Sequence, residues 1–303
     1  MAISRGQLVK ELEPGLNALF GLEYKRYENQ HAEIYTSESS DRAFEEEVML
    51  SGFAQAQTKS EGAGVTFDNA QETYTARYTH ETVALAFSIT EEAIEDNLYD
   101  RLASRYTKAL ARSMANTKQV KAVAPLINGL PSNDAFDSGD GVSLFNTSHP
   151  TIAGTVKNTL TTQADLNETS LEQCLIDIAA MTDERGLKIA ARGVKMIVPS
   201  ELQFTAERLM KSQGRVGTAD NDINAIVSMG MVPQGYRVNN FLTDTDAYYI
   251  ITDVPNGMKY FNRSPIKTAM EGDFDTGNVR YKARERYSFG VSDFRGIFGV
   301  EGA

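Results

Sequence analysis

The chain has 303 residues, 41% of them hydrophobic, with 41 acidic against 30 basic side chains and a formal net charge of −11. That length suggests about two domains with real cores, and the acidic balance argues against a general nucleic-acid binder, which needs a basic excess to displace counterions from phosphates, while leaving room for a local basic patch. No run of eighteen apolar residues exists and Met1-Ala2-Ile3-Ser4-Arg5-Gly6-Gln7 has no apolar stretch, so neither a membrane span nor a signal peptide is expected, and the chain reads as a soluble globular protein of cytoplasm-like surroundings.

Residues 1 to 60 hold two short apolar helical stretches, Leu8 to Leu12 and Leu16 to Leu22, separated by Pro14, and little that closes a core of its own. They read as an arm. An acidic triplet, Glu45, Glu46 and Glu47, precedes a flexible tip at Gly62-Ala63-Gly64. Strict alternation then begins, with Tyr74, Ala76, Tyr78 and His80 on one face and Thr73, Thr75, Arg77 and Thr79 on the other. The parity flips before Val83, Leu85, Phe87 and Ile89, which implies a bulge or corner. With a partner strand expected near residues 48 to 58, this predicts a long projecting hairpin. An isolated hairpin is marginal in water, so it needs a surface to lie on.

A long helix is expected from near Ser88 to Lys121. Its acids come first, Glu91, Glu92, Glu95, Asp96 and Asp100, and its bases follow, Arg101, Arg105, Lys108, Arg112, Lys118 and Lys121, as the helix macrodipole favours. Ser88 with Glu91 spells a capping box, Thr90 offers a second N-cap, and Ile94, Leu98, Leu102, Leu110 and Met114 form the apolar stripe. At 1.5 Å per residue such a helix is roughly 45 Å long, a strut rather than an ordinary core helix. A loop rich in Asp, Ser, Gly and Asn runs from Pro131 to Gly154.

From residue 165 to 255 helix and strand alternate: a helix from Thr169 to Asp183, a strand from Val194 to Val198, a helix from Pro199 or Ser200 to Lys211, and strands near 236 to 239 and 247 to 252. That is a mixed α/β domain. Asn256-Gly257 signals a type I′ turn joining Tyr248 to Val254 with Met258 to Phe261. The last long strand puts Val279, Tyr281, Ala283, Glu285, Tyr287, Phe289 and Val291 on one face and Arg280, Lys282, Arg284 and Arg286 on the other. Four like charges in a row repel, so the stripe calls for acids within the chain or on a neighbour, with Glu45 to Glu47 as candidates, unless it is a solvated edge blunted by charge. Phe294, Ile297, Phe298 and Val300 form an apolar end that must dock somewhere.

No catalytic, cofactor-binding or metal-binding set emerges. Asp134, Asp137 and Asp140 lack the alternation and terminal Glu of a calcium loop and fit turns instead. His31, His80 and His149 lie in separate segments without ligand spacing. Ser148-His149 are sequence neighbours rather than a nucleophile and base, and no GxSxG, GxGxxG or Walker sequence occurs. Cys174, the single cysteine, lies beside Leu171, Leu175 and Ile178 on an apolar helical face and reads as a core thiol.

The order of these parts resembles the major capsid proteins of tailed bacteriophages, with the Hong Kong 97-type fold. The resemblance also rests on Asp140-Gly141-Val142-Ser143-Leu144-Phe145-Asn146-Thr147-Ser148-His149-Pro150, similar to a loop that follows the spine helix in many phage head subunits, and on the tail from Asn278 through Phe298. It implies an α+β chain with an N-terminal arm (1–47), an extended β-hairpin loop (48–87), a peripheral domain whose first part (88–154) carries the long spine helix, an axial α/β domain (155–255), and a second peripheral part with long β-strands (256–303). It further implies a non-enzymatic shell subunit that forms hexamers and pentamers around packaged double-stranded DNA without sequence-specific binding, assembled in host cytoplasm and retained in the virion. Its expected partners are other copies of itself, a separate scaffolding protein because the chain opens directly on an arm-like helix, a portal protein and a decoration protein, with no membrane.

Glu45, Glu46, Glu47, Lys59, Tyr74, Arg77, Tyr78, Arg280, Lys282, Arg284 and Arg286 are the expected inter-subunit contacts. The outer hairpin, Gln57 to Tyr78, is expected to rest on a neighbour, so that its deletion abolishes shells and leaves a folded monomer. Some family members weld subunits by a Lys to Asn isopeptide bond; Lys59 lies on the corresponding loop and Asn262 and Asn278 among the last strands, but the required acid is not fixed by the order of parts. The competing readings are an encapsulin-type nanocompartment shell, which encloses protein rather than DNA, and an α/β enzyme whose helix and hairpin make a dimer.

Overall fold

The computed structural model describes residues 5–90, 92, 99–133, 135–214, 223–273 and 277–303. Glu91, Ile94, Glu95, Asp96, Leu98 and Asp134, and the side chains of Asp100, Arg101 and Leu102, fall outside that description.

Helix α1, Arg5–Arg26, is continuous through Pro14, where two helices had been expected. Pro removes one i→i−4 bond, but just after it Leu16 and Phe20 are buried with Leu110, Ala111, Met114 and Tyr281, so tertiary packing anchors the helix there. After a single 3-10 turn at Gln30–Glu33 come β1, Thr36–Ser39, β2, Phe44–Leu50, β3, Glu72–Thr79, and β4, Glu81–Ile89. The hairpin is β2 paired antiparallel with β3, Glu46 opposite Arg77, so its inner strand lies at 44–50 and not at 48–58. The expected corner is real: His80 separates β3 from β4, and β4 belongs to a different sheet. Ser88 lies in β4 opposite Arg280, which removes it as a helix cap.

Helix α2, Tyr99–Asn128, runs past the expected end at Lys121 and includes Pro125, and a short antiparallel pair, β5, His149–Thr151, and β6, Gly154–Val156, follows it. It packs on a four-stranded sheet ordered β1-β10-β11-β4, in which β10 is Met258–Gly272 and β11 is Val279–Val291. The predicted alternation of β11 holds from Val279 to Tyr287, with odd positions buried and Arg280, Lys282 and Arg284 exposed. Pro265 lies within the register shift of β10 between Ser264 and Lys267, where a residue without an N–H is tolerated.

The second layer is a sheet ordered β12-β9-β7-β8, comprising β7, Gly193–Val198, β8, Tyr236–Val238, β9, Tyr248–Thr252, and β12, Ile297–Val300. Helix α3, Glu168–Ala180, is capped by Asn167, whose side chain accepts from Ser170 N while Ser170 accepts from Asn167 N. Leu171, Cys174 and Ile178 on α3 join Met196, Val198, Tyr248, Ile250 and Phe298 in the main core. Burial pushes the Cys174 thiol up to about 12, so it is a core thiol as expected.

One expectation about the end of the chain is corrected. Asn256 has φ +59°, as a tight turn requires, but it joins β9 to β10 in different sheets rather than closing a hairpin between them. Gly257 and Gly296 stack backbone to backbone there, a Cβ on Gly257 falling 2.7 Å from Gly296 Cα. The apolar end docks as β12 on β9, at the edge of the second sheet.

Candidate assembly surfaces

The hairpin stands on a base pinned by polar contacts within its own chain. Tyr78 is buried edge-on to Phe261, 4.8 Å between ring centroids, and its hydroxyl shares a hydrogen bond with Ser292 Oγ. Tyr74 Oη donates to Ser292 O at 3.4 Å. His80 Nε2 lies 2.9 Å from Ser40 Oγ and its Nδ1 2.9 Å from Ser288 Oγ. Burial and the charge of Arg286 keep this imidazole below its ordinary pKa. Clefts of about 350 Å³ against Met49–Gly52 and about 260 Å³ against Thr75–Thr79 flank the base, so it is held by these pins more than by continuous packing.

The acidic triplet does not meet the basic stripe. Glu47 pairs with Lys259 at 2.5 Å, and Lys259 also reaches Glu38 at 3.1 Å. Glu46 pairs with Arg77 at 3.7 Å, whose guanidinium lies 4.2 Å over the Phe44 ring. Glu45 accepts from Ser40 Oγ at 2.7 Å and faces Arg42 at 3.9 Å. The triplet, Tyr74, Arg77 and Tyr78 are therefore all engaged at the hairpin base of one chain. Lysine 259 was missed in sequence because it sits inside an otherwise apolar stretch, and that position was the available signal.

Beyond the base, residues 51–71 carry no regular strand, and Asp68 closes the two arms by accepting from Ala54 N at 2.7 Å. Arg185 Nη2 donates to Asn69 O at 2.7 Å, tethering this stretch to the loop after α3. Lys59 is exposed on it. So are Phe53 (62% exposed), Val65 (70%) and Phe67 (93%). Three large apolar side chains on one projecting arm are an unpartnered surface.

The other surface is the helix-free face of the four-stranded sheet. Lys282 lies opposite Ala86 and Ala269, and Arg284 opposite Ala84 and Lys267. Arg286 lies opposite Thr82 and Ser264. Arg280 has an acid, Asp273, at 2.5 Å, but among the described residues no acid pairs with Lys267, Lys282, Arg284 or Arg286. Arg286 Nε is buried without a hydrogen-bond partner.

The buried charges are structural. Glu285, on the apolar face of β11, meets Lys118 at 3.3 Å and the Tyr24 hydroxyl at 3.1 Å. Lys118 lies 5.1 Å from the Tyr260 and Tyr287 ring centroids. Burial raises the Glu285 carboxyl above the usual range despite that cation. Arg295 donates to Glu184 Oε1 at 2.6 Å, Asp293 Oδ1 at 3.2 Å and Thr182 O at 2.8 Å. His149 is fully buried and stacks on Phe294 at 3.8 Å, with Nδ1 2.6 Å from Asp140 Oδ2 and Nε2 3.0 Å from Asn158 Oδ1. Burial would raise the Asp140 carboxyl, but bonds from His149 and Ser138 hold it below its usual value. Both ring nitrogens are thus occupied, which leaves none to activate Ser148. Among the described residues no His, Cys, Asp and Glu set is placed to hold a metal ion, and no helix is long and apolar enough to cross a membrane.

Residues 73–300 match the family described as phage capsid protein. No curated protein matches the chain in sequence. Among solved structures, the chain is similar to the capsid of an empty GTA particle, at 16% identity and TM-score 0.56, covering 90% of this chain and 89% of that one. It is also similar to the capsid of the cyanophage P-SCSP1u, at 12% identity and TM-score 0.56, covering 89% and 86%. A virus-like particle from Pyrococcus furiosus aligns at 10% identity and TM-score 0.54, covering 95% and 98%. Identities this low establish a shared fold, the α+β Hong Kong 97-type architecture.

Proposed function

The chain belongs to the phage capsid protein family, and from that premise we propose that it is the major head subunit, assembling as hexamers and pentamers into a closed icosahedral shell around double-stranded DNA. One observation carries the reading: a hairpin with a fixed base bears Phe53, Val65 and Phe67 in the open, an apolar surface of the kind that another protein surface covers. A second copy supplies that surface in a shell, where the same heterologous contact repeats by symmetry until the structure closes. Many modest contacts per subunit then give collective permanence.

In this reading the chain up to the hairpin is the arm, the hairpin is the extended loop, α2 with the β10–β11 sheet is the peripheral domain, and the β7–β9 layer with β12 is the axial domain. The role is structural rather than catalytic. A scaffolding protein supports assembly in host cytoplasm, a portal occupies one vertex, a decoration protein binds the finished head, and the subunit remains in the virion. The net charge of −11 leaves packaged DNA mobile by weakening adhesion to the wall. An encapsulin-type shell is the alternative, and its protein cargo in place of DNA distinguishes it.

The test is a deletion designed on the structure. Tyr78 is a buried pin, so removing Gln57 to Tyr78 damages the base; replacing Phe53–Asn69 by a short Gly-Asn turn spares it. We expect a folded protein that forms no shells, its thermal midpoint lowered only by the loss of the Arg185 to Asn69 tether, whereas normal shells from this variant sink the proposal.

A further inference from the structure

Two surface patches of this chain are strained by like charge, and their signs are opposite. The first is the sheet face. Arg284 and Lys267 stand directly opposite each other across β11 and β10, and Lys282 and Arg286 flank Arg284 along the strand. Directly opposed like charges destabilise a sheet pair. Small side chains, Ala84, Ala86 and Ala269, border the cations, so a partner can approach the backbone closely.

The second patch is on the axial layer. Asp244 and Asp246 lie on the turn before β9, and Asp165 stands near them ahead of α3. Asp244 beside it, by hydrogen bond and then by charge, together with Asp165, raises the Asp246 carboxyl above its usual value. Asp244 Oδ1 accepts only backbone donors, Asp246 N and Ala247 N, both at 3.3 Å, and Asp165 Oδ1 accepts from Ala303 N at 3.1 Å. Among the described residues no Lys or Arg pairs with any of the three.

We propose that the cation ladder Lys267, Lys282, Arg284 and Arg286 is a docking surface for the Asp165, Asp244 and Asp246 cluster of a second copy. The ladder lies on one sheet and the acids on loops beside the other, so a head-to-tail contact between them repeats through successive copies. Each patch relieves the other's repulsion, and among the described residues neither has an ion-pair partner within its own chain. Arg286, with a buried and unpartnered Nε, supplies a donor already partly desolvated. The inference rests on the shell reading and names one contact within it.

The experiment is a charge swap in the full chain, read by sedimentation velocity and by shell yield. Lys282→Glu with Arg284→Glu, and separately Asp244→Lys with Asp246→Lys, are each expected to lower self-association by about tenfold or more, the effect of roughly 1.4 kcal/mol, with thermal midpoints that are not lowered, since each swap removes like-charge repulsion within the chain. The wild type weakens as NaCl is raised. The quadruple variant, and an equimolar mixture of the two double variants, are expected to regain association. Wild-type association in either double variant, or a folded quadruple variant without recovery, overturns the contact and leaves the shell reading standing. A wild type that never associates, with scaffold present, overturns both.

Discussion

Lys118 Nζ, midway along α2, lies 3.3 Å from Glu285 Oε2 on β11 and fastens the long helix to the long strand inside the core. Burial has already lifted the Glu285 carboxyl above its ordinary range, and Glu285 Oε1 has no hydrogen-bond partner. Lys118→Ala leaves that carboxylate without a cation, at a cost of about 3 kcal/mol at neutral pH. A carboxyl whose folded pKa exceeds its unfolded value binds protons more tightly when folded, so acidification toward the unfolded value recovers part of the loss. Denaturant midpoints at neutral and mildly acidic pH check this; an equal deficit at both contradicts it.

His31 gives the opposite pH dependence. Burial, then the charge of Lys118, lowers its pKa to about 4, while a bond from Gln119 opposes them. The unfolded state therefore binds the proton first. The stability His31 contributes is complete above about pH 6.5 and falls as pH drops from there through about 4, by about 3 kcal/mol in all. A His31→Gln variant should lose that part of the slope, and a variant with the wild-type slope refutes the assignment.

Gly290 carries the hairpin pivot. A Cβ there would lie 2.6 Å from Tyr78 Cε1, so Gly290→Ala pushes the Tyr78 ring away from Ser292 and Phe261. Overpacking of this kind costs about 1–3 kcal/mol. The variant is expected to melt lower and to assemble poorly even where it is folded. An unchanged midpoint would show that the ring has room to move.

Arg295 neutralises Glu184 and Asp293 in a wall where all three are buried. Arg295→Met leaves two carboxylates unpaired and should cost about 3–5 kcal/mol. Glu184→Gln keeps an acceptor for Arg295 and should cost about 1 kcal/mol. Comparable losses in urea denaturation would contradict the assignment of the charge to the cluster.

Much of this fold is written in local pattern. The period of two in β11 and the apolar faces of the axial helices and strands are legible because burial selects one face of each element. Glu285 was visible as an acid on an apolar face, although its partner, Lys118, is far away in sequence. Elsewhere, long-range packing decided. Pro14 and Asn256-Gly257 are strong local signals, yet core contacts from Leu16 and Phe20 carry α1 through the first, and different partner sheets separate the strands around the second. The destination of β12 depends on an edge of β9 that local pattern does not reveal. The acidic triplet and the basic stripe were each recognised as charge blocks, but pairing of the triplet with Arg42, Arg77 and Lys259 needed the hairpin's register and the position of β10.

The central claim is self-assembly, and sedimentation velocity of the purified full chain, with electron micrographs of the fastest-sedimenting fraction, tests it most directly. The account predicts megadalton closed shells, or capsomer-sized rings that close when scaffold is added. A monomer or dimer that never assembles with scaffold present would contradict it.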